Sequence, residues 1–279
     1  FVGILLFYFA HESSLLPDLT YHYGAVPLGN FPRISSTFVS ASMFCNYLTV
    51  TLVFVLLAAK MKWIGSGLAA AITFAIAVSA IFTVSIALGG VALVAGSWVW
   101  AASTNKTIGR VALFASGAIA LAFFAIAPFA LLGLPDITPS SRLLVWSDAL
   151  KTFASDPLTG NGLGTAVADV MYQNSDGSWS ILTDAHNTFL SVAAQGGILG
   201  LMGMIAIVIV TLRNGLAKPR GDNIYILRGF SIAFLAAFLY DGMTGSFEDA
   251  RHLWVLIGLI LAANRIASDG DRSAALDSA

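Results

Sequence analysis

The sequence predicts an all-α, polytopic membrane protein: about seven full transmembrane spans plus one partial N-terminal span, with a large extracytoplasmic loop carrying a short surface helix. Three observations predict it. Hydrophobic residues make up 57% of the 279-residue chain and charged residues only 10%. A soluble domain is about a quarter charged, and no globular core of this size hides so much apolar surface, so lipid must solvate much of it. The charges also cluster between long apolar runs, and from Ile64 to Ala102 there is none.

The elements follow in chain order. Residues 1–10 are apolar and begin on Phe1 rather than Met. A run of about ten is too short to span a bilayer and lacks a basic leader, so it reads as the end of a helix whose start precedes the sequence, and 1–279 as one N-terminally truncated membrane domain. Residues 11–37 are polar and punctuated by Pro17, Gly24, Pro27, Gly29, Asn30 and Pro32. A span is expected over 41–59, closed by Lys60 and Lys62. The uncharged stretch 64–102 would be about 60 Å long as one helix, twice the ~30 Å hydrocarbon core, so it must fold back, and 85–90 with Gly89-Gly90 is the expected turn. Spans are expected over 111–133, 188–212, 229–245 and 250–263. The remaining polar segment, 134–187, is the large loop, and 267–279 is expected to be a flexible cytoplasmic tail.

Basic residues orient the spans. Alternate loops and the tail hold Lys60, Lys62, Lys106, Arg110, Arg213, Lys218, Arg220, Arg228, Arg265 and Arg272, which is ten of the fourteen Lys and Arg. Those segments are expected to be cytoplasmic. The other face holds only Arg33, Arg142, Lys151 and Arg251. An anionic substrate would account for these exceptions; the lesser alternative for Arg142 is that it anchors a surface helix to lipid phosphates. The net charge of −1 gives no reason to expect a nucleic-acid partner, and the single Cys45 excludes an internal disulfide.

Inside the large loop, Ser140-Ser141 can cap a helix running to about Ser155, with Leu143, Trp146, Leu150 and Phe153 on one face. A helix of that length cannot span and is expected to lie on the membrane surface with Trp146 at headgroup level. The glycines from Gly160 to Gly164 do not make a nucleotide-binding loop, since no strand precedes them; they read as a turn that brings the chain close to the bilayer or a ligand. The loop ends on Asp184-Ala185-His186-Asn187 at the mouth of an apolar run. A lone His at a helix end is ordinarily an interfacial residue; Asp184 two positions before it could orient it or could be plain loop. Asp241 falls near the outer end of a span, where a carboxylate is costly and often functional. Arg251-His252 beside Glu248-Asp249 reads as a local ion cluster. The four histidines have no metal-like spacing, so no metal and no cofactor is expected.

These residues resemble a family. Arg142 and Trp146, then Asp156-Pro157-Leu158-Thr159-Gly160-Asn161-Gly162-Leu163-Gly164, then His186-Asn187-Thr188-Phe189-Leu190 and Gly196-Gly197-Ile198-Leu199-Gly200, are similar to the signature region of the bacterial O-antigen ligase and polymerase family. So is Phe31-Pro32-Arg33-Ile34 upstream. The likeness runs from about Phe31 to Ala263. One departure is Ser85-Ile86, where the family often has Ser-Arg.

The resemblance implies about a dozen spans in the whole protein and a multi-pass location in the bacterial cytoplasmic (inner) membrane, with the active site on the periplasmic face. The reaction implied is glycosyl transfer from a polyprenyl-pyrophosphate-linked glycan to a sugar hydroxyl, on lipid A–core or on another glycan. Arg142 and Arg33 would bind the pyrophosphate through charge-assisted hydrogen bonds, and His186 would be the general base, without a metal and with inversion at the anomeric carbon. Asn187, Asp184, Asp241 and Arg251 are secondary candidates. A polymerase would share this donor and chemistry. A transporter or flippase for an anionic lipid-linked sugar is the competing class; it would place ionisable residues at mid-bilayer on several spans, whereas here most lie at span ends.

Overall fold

The computed structural model describes residues 21–26, 29–36, 38, 41–83, 85, 87–103, 105–122, 141–173, 179–217, 223–245 and 250–277. The expectations for residues 1–10, for 123–140 and for Ile86, Glu248 and Asp249 lie outside these residues. The described chain contains eight helices and four strands, and divides into two compact units.

The first unit comprises residues 1–128 and 232–237. Its strands β1 (Tyr21–Val26) and β2 (Gly29–Ile34) form an antiparallel hairpin, with Tyr23 opposite Pro32 and Gly24 opposite Phe31. The sequence reading had only a polar loop here; Tyr21 and Tyr23 on β1 and Phe31 on β2 are residue types that suit a pleated strand. Helix α1 (Ala41–Lys60) buries Cys45, Thr49, Leu52, Val53 and Leu57. The uncharged stretch does fold back, as α2 (Ser66–Phe82) and α3 (Leu88–Ala102). The turn between them is tied down by a hydrogen bond from the Thr83 hydroxyl to the Ala80 carbonyl (2.6 Å) and by Ser85 Oγ bonding to Ser42 Oγ of α1 (2.9 Å). Asn105 caps α4 (Lys106–Leu121), its side chain accepting from the backbone N–H of Thr107 and Ile108.

The second unit comprises residues 129–231 and 238–279. It contains α5 (Ser141–Ser155), the antiparallel hairpin of β3 (Val170–Gln173) and β4 (Trp179–Leu182), α6 (Thr188–Gly215), α8 (Arg251–Asp277), and both ends of α7 (Asn223–Thr244). Its core gathers Val145 and Ala149 of α5, Val167 and Ala168 of the following loop, Ala185, and Ala194 of α6. Helix α5 has the expected bounds. Val145 and Ala149 are buried, while Leu150 is 53% exposed. The small Ala149 lets α5 approach α6 closely, and the larger Leu150 is turned away.

Three helices are long and apolar enough to cross a membrane: α1, α6, and α7 over Ile224–Gly242. Helices α2 and α3 are apolar but shorter. The sequence reading of about seven spans is thus met by three among the described residues. Helix α8 continues as helix past Ala263, through Arg265 to Asp277.

Candidate active site

Four consecutive residues make the site, and α6 is what holds them. Asn187 is the N-cap of α6; its side-chain oxygen accepts the Leu190 backbone N–H at 3.1 Å, and it is buried. His186, just before it, adopts a left-handed backbone with φ 46°. An L-residue with a Cβ pays a steric penalty there. That conformation reverses the chain direction and sets the His186 ring beside the carboxylate two residues back. His186 Nδ1 and Asp184 Oδ2 are 3.1 Å apart. The other carboxylate oxygen of Asp184 accepts the Ser191 hydroxyl at 3.2 Å, so Asp184 bridges the imidazole and the first turn of α6.

The electrostatics follow from these contacts. The imidazole beside Asp184 holds its carboxyl below the usual carboxylate range, outweighing a partial burial that pushes it up. Asp184 therefore remains ionised and accepts a hydrogen bond from Nδ1–H. This assigns the remaining lone pair to Nε2, on an imidazole that is 52% exposed. A neutral imidazole with Nδ1–H held by a carboxylate and Nε2 open to solvent can take a proton from a hydroxyl.

Two further contacts position the loop. Trp146 Nε1–H of α5 donates to the Ala185 carbonyl at 2.9 Å, which fixes the peptide preceding His186. The Thr188 hydroxyl donates to the Asp241 carbonyl of α7 at 2.8 Å, and Phe189 packs edge-on against Phe238, centroids 5.7 Å apart. The head of α6 is thereby pinned to the end of α7.

Asp241 is 5% exposed and its Oδ2 lies 3.4 Å from Nε2 of His252 on α8. His252 is thus paired with a buried carboxylate of α7, while the cluster expected with Glu248 and Asp249 lies outside the described residues. Arg251 opens α8 with an exposed side chain. Arg142 sits in the first turn of α5, one turn before Trp146. Arg33 is on β2 of the first unit. The side chains of Arg142 and Arg33 lie outside the described residues. The structure thus brings together His186, Asp184 and Asn187 directly, and Asp241 through Thr188.

Sequence reasoning missed the role of the glycines. Helix α6 breaks at Gly197 (φ 61°, ψ −161°), and the 157–164 loop docks on the break. Asn161 and Gly162 N–H groups donate to the carbonyls of Ala194 and Gln195, and the Ile198 N–H donates to the Pro157 carbonyl, at 2.9–3.0 Å. Gly160 also has positive φ, and a Cβ on it would strike the Gln195 and Gly197 backbone; one on Gly197 would strike Leu158. The buried Gln195 side chain completes the joint, accepting from Gly164 N–H and donating to the Thr165 carbonyl. The close approach read from the Gly-rich run is therefore an approach to the broken helix. Gly196-Gly197 inside an apolar run was the available signal.

Helices able to cross a membrane define a polytopic membrane protein, and the half-exposed His–Asp pair lies at the head of one of them. A family profile described as O-antigen ligase matches residues 45–205, more than half of the chain, and includes Arg142, Asp184 and His186. The chain belongs to the O-antigen ligase family. Comparison with curated proteins returned no match.

Proposed function

We propose that this protein is a membrane glycosyltransferase that moves a glycan from a polyprenyl pyrophosphate carrier to a sugar hydroxyl, such as one on lipid A–core, at the periplasmic face of the bacterial inner membrane. The observation that carries the reading is the His186–Asp184 pair, whose Nε2 is the available base. The acceptor oxygen attacks the anomeric carbon as the bond to the pyrophosphate oxygen breaks. The bonding pair leaves with polyprenyl pyrophosphate, the hydroxyl proton passes to His186 Nε2, and the anomeric centre inverts. Asp184 stabilises the imidazolium that forms.

Arg142 and Arg33 are assigned to the leaving group, which needs positive charge that a planar guanidinium supplies in bidentate form. Arg142 has further support from its place in the first turn of α5, where unpaired backbone N–H groups also favour an anion. The ten-to-four bias of basic residues supports the orientation. The test is to incubate the protein in proteoliposomes with a polyprenyl-pyrophosphate-linked glycan and either lipid A–core or free glycan acceptor. A glycan transferred intact to lipid A–core, with release of polyprenyl pyrophosphate, is expected; consumption of donor only with the glycan acceptor would replace ligation by polymerisation, and no donor consumption would reject the enzyme reading.

A further inference from the structure

We infer that the outer hydrocarbon boundary of the bilayer crosses α6 at its break, Gly197, and that the 157–164 loop is a lipid-contacting foot that seats the catalytic loop on the membrane. The sequence places a span from Thr188 onward. At 1.5 Å per residue the 28-residue α6 would be about 42 Å long, against a hydrocarbon core of ~30 Å. The part after the break, 198–215, is about 27 Å and nearly matches the core on its own.

Burial changes character at the same point. Before the break Thr188, Ser191, Ala193, Ala194, Gln195 and Gly197 are all buried, and the polar Ser191 and Gln195 bond to Asp184, Gly164 and Thr165. After it, from Ile198 to Val210, only Met204 is buried, while Leu199 and Met202 are 56% and 60% exposed. The first half is solvated by protein; the second presents apolar side chains outward, as a lipid-facing surface does.

The loop meets the requirements of this boundary. A helix broken in contact with lipid would leave backbone groups without partners, which the hydrocarbon does not tolerate. Here the loop supplies them, to Ala194, Gln195 and Ile198. Its own residues from Pro157 to Ala166 carry no charge. Leu158 is 60% exposed and its carbonyl faces the Leu199 N–H, so it continues the outward apolar face of α6. Leu163 is 86% exposed, the most exposed large apolar side chain among the described residues. A leucine held at the tip of a rigid, uncharged loop beside a membrane helix fits the acyl–headgroup zone of phospholipid. His186, ahead of α6 and roughly ten residues from the break, then stands about 15 Å outside the hydrocarbon.

Depth measurement tests this without reference to transfer activity. Single cysteines replace Leu163, Leu158, Met202, Phe189 and Thr183 in a Cys45→Ala background. Each is labelled with a nitroxide in phospholipid proteoliposomes, and relaxation by oxygen is compared with relaxation by a water-soluble nickel chelate. The order of depth expected is Met202, then Leu163 and Leu158 near the boundary, then Phe189, with Thr183 fully accessible to the chelate. Leu163 is exposed, so its label leaves the packing intact, and Leu158 gives an independent second reading. Chelate access at both Leu163 and Leu158 equal to that at Thr183, or a Phe189 label as deep as Met202, would overturn the inference.

Discussion

Replacing Asp184 by Asn separates charge from shape at the centre of the site. Asn keeps an oxygen that can accept the Ser191 hydroxyl, now bonded to Asp184 at 3.2 Å, so the first turn of α6 retains its tie. What it removes is the anion 3.1 Å from His186 Nδ1. A hydrogen bond to a charged group contributes about 1.5–3 kcal/mol. The two side chains are 52% and 41% exposed, which places this one at the lower end, and about 1.4 kcal/mol corresponds to a tenfold rate change. An Asn amide facing Nδ1 also favours the tautomer that puts the proton on Nε2, which works in the same direction. Glycan transfer in proteoliposomes, at matched protein abundance, is therefore expected to fall about ten- to a hundredfold. The pH dependence distinguishes Asp184 from the base it orients. Its carboxyl is held below the usual carboxylate range by the imidazole beside it, so its contribution is fully present above that range and is lost only as pH falls through the lowered value. Asp184→Asn should therefore lower the plateau of the profile above that range. Wild-type transfer by an abundant Asp184→Asn protein would refute the orienting role.

Three further predictions follow from the same geometry. His186→Ala should insert and bind donor normally but lose transfer by about 10²–10⁴-fold, the usual contribution of a general base, and His186→Gly, equally inactive, should be more thermally stable than the Ala variant because φ 46° suits glycine; transfer at the wild-type rate by His186→Ala would leave the site without a base. Arg142→Lys should lose most transfer despite its retained charge, since an ammonium lacks the planar fork, and near-normal turnover at equal protein level would reduce Arg142 to a membrane anchor. Gly197→Ala should lower the thermal midpoint, with a cost above about 1–2 kcal/mol, because the left-handed penalty adds to a collision with Leu158; an unchanged midpoint would mean the loop does not dock on the break.

What could be read from the sequence depended on how local the interaction was. Asp184 and His186 are two residues apart and stand at the mouth of an apolar run, so the pair was legible. The fold-back between α2 and α3 was forced by length against bilayer thickness. Where pairing is remote, the pattern was silent. Asp241 meets His252 only because α7 and α8 reverse between them, and Trp146 reaches the Ala185 carbonyl from a helix thirty-nine positions earlier. The break in α6 was masked because hydrophobicity continues through it; Gly196-Gly197 in a membrane helix is equally compatible with tight helix packing.

The glycine joint and the His–Asp pair belong to one construction. Residues 188–196 form a short helical post about 14 Å long. Its base is clamped by the 157–164 loop through backbone hydrogen bonds at Ala194, Gln195 and Ile198. Its top is clamped by Asn187 capping Leu190, by Ser191 on Asp184 and by Thr188 on the Asp241 carbonyl. Those anchors fix the helix start, and His186 projects from it on a backbone with little freedom to relax, which is how the strained φ is maintained. A base fixed in this way loses little rotational freedom when the reaction begins, so the structure invests its local strain where proton transfer needs a defined direction. If the post were a simple continuation of the span, the break would have no function and the loop nothing to clamp. Loosening either end, by Gly160→Ala at the base or Thr188→Val at the top, should then lower the transfer rate at saturating donor more than it weakens donor binding. Equal losses in both would show that the post merely shapes the donor site.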